Sequence, residues 1–294
     1  MTQSYVSFPN LGINLNINNI AFTIGGKDIY WYGIIIAIGF AVAIAVAIAI
    51  SKKYGISSET IYDIVIFGTP SAIMCARLYY VIFEWESYAQ NPIDIFKIWN
   101  GGIAIYGAII GAVVSSLIYC KVKKCNTPLV FDIGAVGLVI GQIFGRWGNF
   151  FNQEAFGGNT ESLFGMTGNV IKERLSQMAQ EGLNVTADLP VHPTFLYESL
   201  WNVVVLSVLL FMFKRRKFDG QNFLTYISLY GLGRFFIEGL RTDSLYLGNF
   251  RISQIVAVIT FLIGALSRIY IIKEKNCVVT LPVSRLNDEK TENF

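Results

Sequence analysis

Apolar runs of about 20 residues recur along the whole chain, and this recurrence restricts the fold more than any other feature. Such a run crosses the hydrocarbon core of a bilayer as a helix, because lipid offers no partner for an unpaired backbone group. The runs cover roughly 30–50, 60–83, 101–120, 128–147, 196–213, 222–240 and 252–272. The chain is 53% hydrophobic and 15% charged, with a mean hydropathy of +0.51; a soluble domain carries about 25% charged residues. We therefore expect an all-α membrane protein with seven transmembrane helices, one integral membrane domain over residues 1–294.

The distribution of Lys and Arg orients these spans. Lys52 and Lys53 follow the first, Lys121, Lys123 and Lys124 the third, and Lys214, Arg215, Arg216 and Lys217 the fifth. The tail adds Lys273, Lys275, Arg285 and Lys290, whereas the loops after spans two and six hold only Lys97, Arg241 and Arg251. The positive-inside rule then puts the N-terminus outside and the C-terminus in the cytoplasm. On this topology residues 1–29 are an outer arm, 148–195 an outer loop segment and 273–294 a cytoplasmic tail. Leu11, Ile13, Leu15 and Ile17 alternate with Gly and Asn, which predicts a short strand or extended arm. The first 28 residues lack a basic start followed by an apolar core, so no cleavable signal peptide is expected. Residues 172–181 pattern as an amphipathic helix. Gly107 and Gly111 form a small-xxx-small face for close helix packing in span three.

Cys75, Cys120, Cys125 and Cys277 show no CxxC spacing and none falls in an outer loop, so no disulfide framework is expected. His192 is the sole histidine, so a histidine-based metal site or a Ser-His-Asp triad could use only that residue, which argues against most metalloenzymes. It precedes Pro193 at a helix start and reads as structural.

The buried polar residues concentrate at one level. Gly145-Arg146-Trp147-Gly148-Asn149-Phe150-Phe151-Asn152-Gln153-Glu154-Ala155-Phe156-Gly157 closes span four. Tyr32, Arg77 and Tyr106 lie in the outer parts of spans one to three, and Arg234, Glu238 and Arg241 at the outer end of span six. Arg234 and Glu238 are four apart on one helix face and can pair. Asp63 and Asp132 are the exceptions, near the cytoplasmic ends of their helices, where solvation is easy. Intramembrane charges are costly and mark ligand sites. Arginines suit bidentate phosphate binding, so a phospholipid headgroup in the outer leaflet is the expected ligand; the competing reading is a set of structural ion pairs. An acyl- or phosphotransferase on glycerol phosphate lipids would call for a cytoplasmic-facing site with a nucleophilic Ser or His. A transporter or channel would call for polar residues to midplane and an inverted repeat. An intramembrane protease would need paired Asp, Ser-His or metal ligands at depth.

The run Gly145 to Gly157 also resembles the signature of the prolipoprotein diacylglyceryl transferases, bacterial membrane enzymes that lipidate lipoprotein precursors. Their pattern G-R-x-G-N-F-x-N-x-E-x-x-G is matched at every fixed position, with Phe151 at the variable one. Trp31-Tyr32-Gly33, Ala76 through Val81, Asn100-Gly101-Gly102, His192 through Glu198, and Gly233-Arg234-Phe235 through Glu238 to Arg241 agree with the same family. The resemblance implies a seven-span enzyme of the bacterial cytoplasmic membrane, with its site toward the outer leaflet. It implies transfer of diacylglyceryl from phosphatidylglycerol to the lipobox cysteine of a prolipoprotein signal peptide, with thioether formation and release of glycerol 1-phosphate. The implied partners are these two substrates and the bilayer, with no nucleic acid, no cofactor and no metal, in a monomer.

Residue by residue, the resemblance points to Arg146, Glu154, Arg234, Glu238 and Tyr106 for catalysis. It points to Tyr32, Arg77, Arg146, Gly148, Asn149, Asn152, Arg234 and Arg241 for binding phosphatidylglycerol. Many family members carry a histidine where this chain has Tyr106, in Tyr106-Gly107-Ala108. Tyrosine, with a pKa near 10, is a poor base at neutral pH. We expect Tyr106 to hydrogen-bond the lipid and Glu154 or Glu238 to take the thiol proton. Glu198 and Tyr197 are expected to fix the loop against the site.

Overall fold

The computed structural model describes residues 4–242, 244, 246–248, 250–274 and 278–284. Lys275, Cys277, Arg285 and Lys290 lie outside the described residues. The chain opens with four short strands, β1 (Tyr5–Phe8), β2 (Ile13–Asn16), β3 (Ile20–Ile24) and β4 (Lys27–Tyr30). Helices α1 (Trp31–Lys53), α2 (Ser58–Phe83), α3 (Trp85–Ala89), α4 (Ile105–Lys123) and α5 (Thr127–Asn152) follow. Next come β5 (Thr167–Gly168), α6 (Asn169–Gln180), α7 (Thr194–Phe213) and α8 (Gln221–Glu238). Strands β6 (Tyr246–Leu247) and β7 (Phe250–Arg251) lead into α9 (Ile252–Lys273).

Six of these helices, α1, α2, α4, α5, α7 and α9, are long and apolar enough to cross a membrane. Together they make this a multi-pass membrane protein. Their flanks expose large apolar side chains such as Phe83, Ile105, Val122, Phe211 and Leu266, a surface that a bilayer covers and water does not. The seventh expected span is α8, a helix over the expected residues that is not among those six. Gln221, Asn222, Arg234 and Glu238 reduce its apolar content.

Two compact units make up the chain. One contains residues 47–131 and 280–294. Within it α2 packs on α4 at the expected glycine face: a Cβ at Gly107 would fall 2.6 Å from Tyr79 Cβ, and one at Gly111 2.5 Å from the Ser71 carbonyl oxygen. Helix α4 starts at Ile105, four residues later than expected, because Gly101 (φ 84°) and Gly102 (φ 72°) sit in left-handed conformations that no helix continues.

The other unit contains residues 1–46 and 132–279. Here α8 packs against both α7 and α9. β1 pairs with β2 (Val6 opposite Leu15) and with β5 (Val6 opposite Gly168), so the arm becomes a three-stranded sheet rather than a lone strand. Val6, Phe8 and Ile17 from this arm form a core with Ile171 and Leu175 of α6, Met166, Val191, and Phe150, Phe156 and Phe195. That apolar cluster fixes the sheet and α6 against the C-terminal end of α5. The expected amphipathic helix is α6, with Ile171 and Leu175 turned inward.

Asp132 departs from expectation. It is fully buried rather than solvated. Its Oδ2 accepts the Gly220 N–H at 2.8 Å and its Oδ1 the Phe223 N–H at 2.8 Å. Two free donors at the start of α8 thus meet a carboxylate, which the positive end of the helix dipole also favours. Arg216, likewise buried, lies 3.9 Å from the same carboxylate. The charge is tolerable in the interior because its partners are built in.

Candidate active site

Helix α5 runs through Asn152, five residues past the expected end at Trp147, so most of the signature lies on a helix rather than in the outer loop segment. Arg146, Asn149 and Asn152 fall three residues apart on this last stretch. Gly148 is required by close approach: a Cβ there would lie 2.6 Å from Tyr32 Cδ2, so the Tyr32 ring rests directly on the helix. Trp31 stacks on Phe151, with ring centroids 5.6 Å apart.

The helix stops in a strained turn. Gln153 (φ 51°) and Ala155 (φ 56°) both take left-handed conformations, flanking Glu154. Such positions cost non-glycine residues roughly 1–3 kcal/mol each and persist only where the surroundings enforce them. The enforcement is visible. Thr194, fully buried, donates its hydroxyl to the Ala155 carbonyl. The Gly157 N–H donates to the His192 carbonyl at 2.9 Å, and the Gly158 N–H to the Leu240 carbonyl at 2.9 Å. A Cβ at Gly157 would come within 2.7 Å of the Leu240 carbonyl oxygen, which accounts for the closing glycine of the motif. Glu154 itself is exposed, and its Oε1 accepts from Asn149 Nδ2 (2.9 Å) and Asn152 Nδ2 (3.2 Å).

Three arginines converge on Glu198 of α7. Arg146 Nη2 lies 2.9 Å and Arg234 Nη1 3.5 Å from Glu198 Oε2, and Arg241 Nη1 lies 3.3 Å from Oε1. Arg234 also pairs with Glu238 at 2.5 Å, the expected one-turn pair on α8. Arg251 donates to the Glu238 backbone carbonyl. Glu198 and Glu238 are nearly buried, while Arg146 and Arg234 keep about a fifth of their side-chain surface open. The network continues: Arg146 Nη1 reaches Asn149 Oδ1 at 3.4 Å, and Asn149 leads to Glu154. Buried carboxylates thus hold guanidinium groups fanned around one point, with faces left for an anion.

Of the expected site residues, Arg146, Asn149, Asn152, Glu154, Arg234, Glu238 and Arg241 join this one network, and Tyr32 and Gly148 pack together beside the Arg146 helix. Arg77 and Tyr106 belong to the other unit. There Arg77 is buried and spends its guanidinium on carbonyls: those of Ile95 (2.8 Å), Asp94 (2.5 Å), Gly101 (2.7 Å) and Gly102 (2.8 Å). It also lies over the Tyr88 ring, 4.9 Å from the centroid. Tyr106 faces Tyr79 with ring centroids 6.3 Å apart.

The residue that sequence reasoning undervalued is Glu198. The signal was present, a carboxylate in the second turn of an otherwise apolar helix, but its role depends on α5 and α8 arriving at the same point. His192 is half-buried; burial holds its imidazole below the usual histidine range, and Nδ1 lies 3.3 Å from the Tyr197 hydroxyl.

The family model described as prolipoprotein diacylglyceryl transferase matches residues 19–270. A protein of Clostridioides difficile (strain 630) called phosphatidylglycerol–prolipoprotein diacylglyceryl transferase is 41% identical, over 88% of this chain and 97% of its own length. Proteins of the same name from Limosilactobacillus reuteri (strain DSM 20016) and Lysinibacillus sphaericus (strain C3-41) are 43% and 44% identical. These matches cover 91% and 87% of this chain, and 95% and 93% of the relatives. A signature matched at each fixed position, a polar network built from it and this breadth of similarity lead to one conclusion: the chain belongs to the prolipoprotein diacylglyceryl transferase family.

Proposed function

We propose that this protein transfers the diacylglyceryl group of phosphatidylglycerol to the lipobox cysteine thiol of a prolipoprotein, working as a monomer in the bacterial cytoplasmic membrane. On this reading both compact units form one integral membrane domain, α8 is the seventh span, and the arginine network faces the outer leaflet. The placement of Lys and Arg in alternate loops supports that orientation. The observation that carries the function is the convergence of Arg146, Arg234 and Arg241 on Glu198.

The chemistry follows from what such a cluster does. The substrate sulfur attacks the glyceryl carbon that bears the phosphate, a C–S bond forms, and the C–O bond breaks with its electron pair leaving on glycerol 1-phosphate. Negative charge grows on that phosphate, where Arg146 and Arg234 are already fanned and pay little reorganisation; each such donor is worth roughly 2.7–4 kcal/mol of barrier. Glu198 and Glu238 hold the two arginines in position. The thiol is largely protonated at neutral pH, and Glu154 at the exposed end of the network takes its proton. Tyr32, Asn149, Asn152 and Arg241 position the lipid headgroup. We read Arg77 as the clasp of the 94–102 loop and Tyr106 as a hydrogen-bonding group toward the lipid rather than a base.

The decisive assay uses purified protein, phosphatidylglycerol labelled in its diacylglyceryl part, and a lipobox peptide. A thioether-linked product formed by the parent and lost in Arg146→Ala and Glu154→Gln is the expected result. Absence of product from a folded, lipid-binding parent would refute the reading.

A further inference from the structure

A cavity of about 350 Å³ opens between the end of α5 and helix α6. Asn152, Gln153 and Glu154 line one side, and Val170, Arg174 and Met178 line the other. The last three recur every fourth residue and so form one stripe along α6. The cavity adjoins the arginine cluster at Asn149, which lines it and contacts both Arg146 and Glu154, and at Thr242, next to Arg241. Its volume is at the small end of ligand pockets, room for a few small residues and too little for two acyl chains.

Its polar groups are arranged for a guest with backbone donors and acceptors. Gln153 is 3% exposed and anchors this wall to the arm: its Nε2 donates to Ser4 Oγ at 2.6 Å, and its Oε1 lies against Gly168, where a Cβ would collide with it. Both amides that bind Glu154 use Oε1, so among the described residues Oε2 has no hydrogen bond. Arg174 is exposed at the opposite wall and offers a fork of donors for a carbonyl. Val170, Met178 and Phe156 supply the apolar contact between these groups.

We propose that this cavity receives a short extended stretch of the acceptor polypeptide next to its cysteine, with α6 as the specificity wall. The proposal rests on the transferase reading for the identity of the acceptor. It divides the site into two poles: the anion at Glu198 and its arginines, and the peptide at Glu154 and α6. Arg174 meets a guest carbonyl, and small or apolar side chains contact Val170 and Met178. Glu154 lies in the wall of the peptide pole, where the thiol must be.

Disulfide exchange tests this without any transfer chemistry. A precursor peptide is prepared with its cysteine as a mixed disulfide with 2-thiopyridine; an engineered thiolate displaces the thiopyridone, which is read by absorbance. Full-length protein in detergent free of phosphatidylglycerol is compared as Val170→Cys, Met178→Cys and Ser176→Cys, with the parent as background. Ser176 is exposed and off the stripe. Exchange roughly tenfold faster at 170 and 178 than at 176, competed away by a serine version of the peptide, is expected. Equal rates at the three positions, or no competition, would overturn the cavity as the peptide site. In the transfer assay, Met178→Trp is expected to raise KM for the peptide roughly tenfold and leave KM for phosphatidylglycerol unchanged. Equal rises in both, or none in the peptide's, would also overturn it. A parent that fails to transfer, with the expected exchange pattern in its three cysteine variants, would reject the transferase reading and keep the docking site.

Discussion

Arg146 Nη2 stands 2.9 Å from Glu198 Oε2, joining the signature at the end of α5 to a carboxylate in the second turn of α7. Glu198 also meets Arg234 and Arg241, so one carboxylate touches all three guanidinium groups. Its removal takes away the carboxylate these guanidinium groups share, while Arg234 keeps Glu238. Glu198→Ala is therefore expected to slow transfer at least about 100-fold and to cost about 3 kcal/mol, the low end for a broken buried pair, since Arg146 and Arg234 are partly open. Initial rates and thermal unfolding in detergent measure the two effects. A variant with parental rate and stability would remove Glu198 from its position as organiser.

Gly148 and Gly145 make a matched pair for testing close approach. A methyl at Gly148 drives into the Tyr32 ring, whereas one at Gly145 meets Ile36 Cδ1 at an ordinary 3.7 Å. Gly148→Ala is expected to cost about 1–3 kcal/mol by overpacking and to depress transfer through displaced Tyr32. Gly145→Ala is expected to change neither. Side-by-side melting curves and KM for phosphatidylglycerol separate them.

Asp132 serves stability alone. Asp132→Ala strips two N–H groups at the start of α8 of their acceptor and leaves Arg216 with one fewer carboxylate. A loss of about 2 kcal/mol is expected, with KM for both substrates unchanged in the folded fraction. A change in KM with intact stability would point to a role at the site instead.

Arg77 distinguishes a clasp from a lipid ligand. Arg77→Lys keeps the charge but cannot reach four carbonyls at once. Faster amide hydrogen exchange across 94–102 is expected. Unaltered exchange together with a higher KM for phosphatidylglycerol would instead make Arg77 a lipid contact.

His192 sets a pH dependence whose sign is determined. Burial lowers its pKa in the folded chain below the ordinary value near 6.5. Between the two values the unfolded chain binds more protons, so stability falls as pH drops from about 6.5 toward the folded pKa. Thermal midpoints of the parent are expected to decline over that window, and those of His192→Gln to decline less. Parallel curves would mean the histidine does not titrate as its burial requires.

Several elements were legible in the chain because their causes are local. Helices α1, α2, α4, α5, α7 and α9 follow from apolar length, α6 from its period and the close-packing face of α4 from Gly107 and Gly111, though not that α2 is the helix packed on it. The Arg234–Glu238 pair follows from a spacing of four. The signature residues themselves could be recognised by their order alone. What the sequence left open depends on groups brought from distant positions. Glu198 is 52 residues from Arg146 and 36 from Arg234, and no local rule says that three arginines share its carboxylate. Asp132 could be taken for a solvated helix-end charge until α8 was found starting on top of it. The strain at Gln153 and Ala155 is likewise enforced from outside, by Thr194 and by the 157–158 hydrogen bonds, so nothing within Gln153-Glu154-Ala155 announces it. Apolar length and period determined the elements, and the order of the signature residues the family; only tertiary structure decided that Arg146, Arg234 and Arg241 share Glu198, because that convergence depends on the packing of helices distant in sequence.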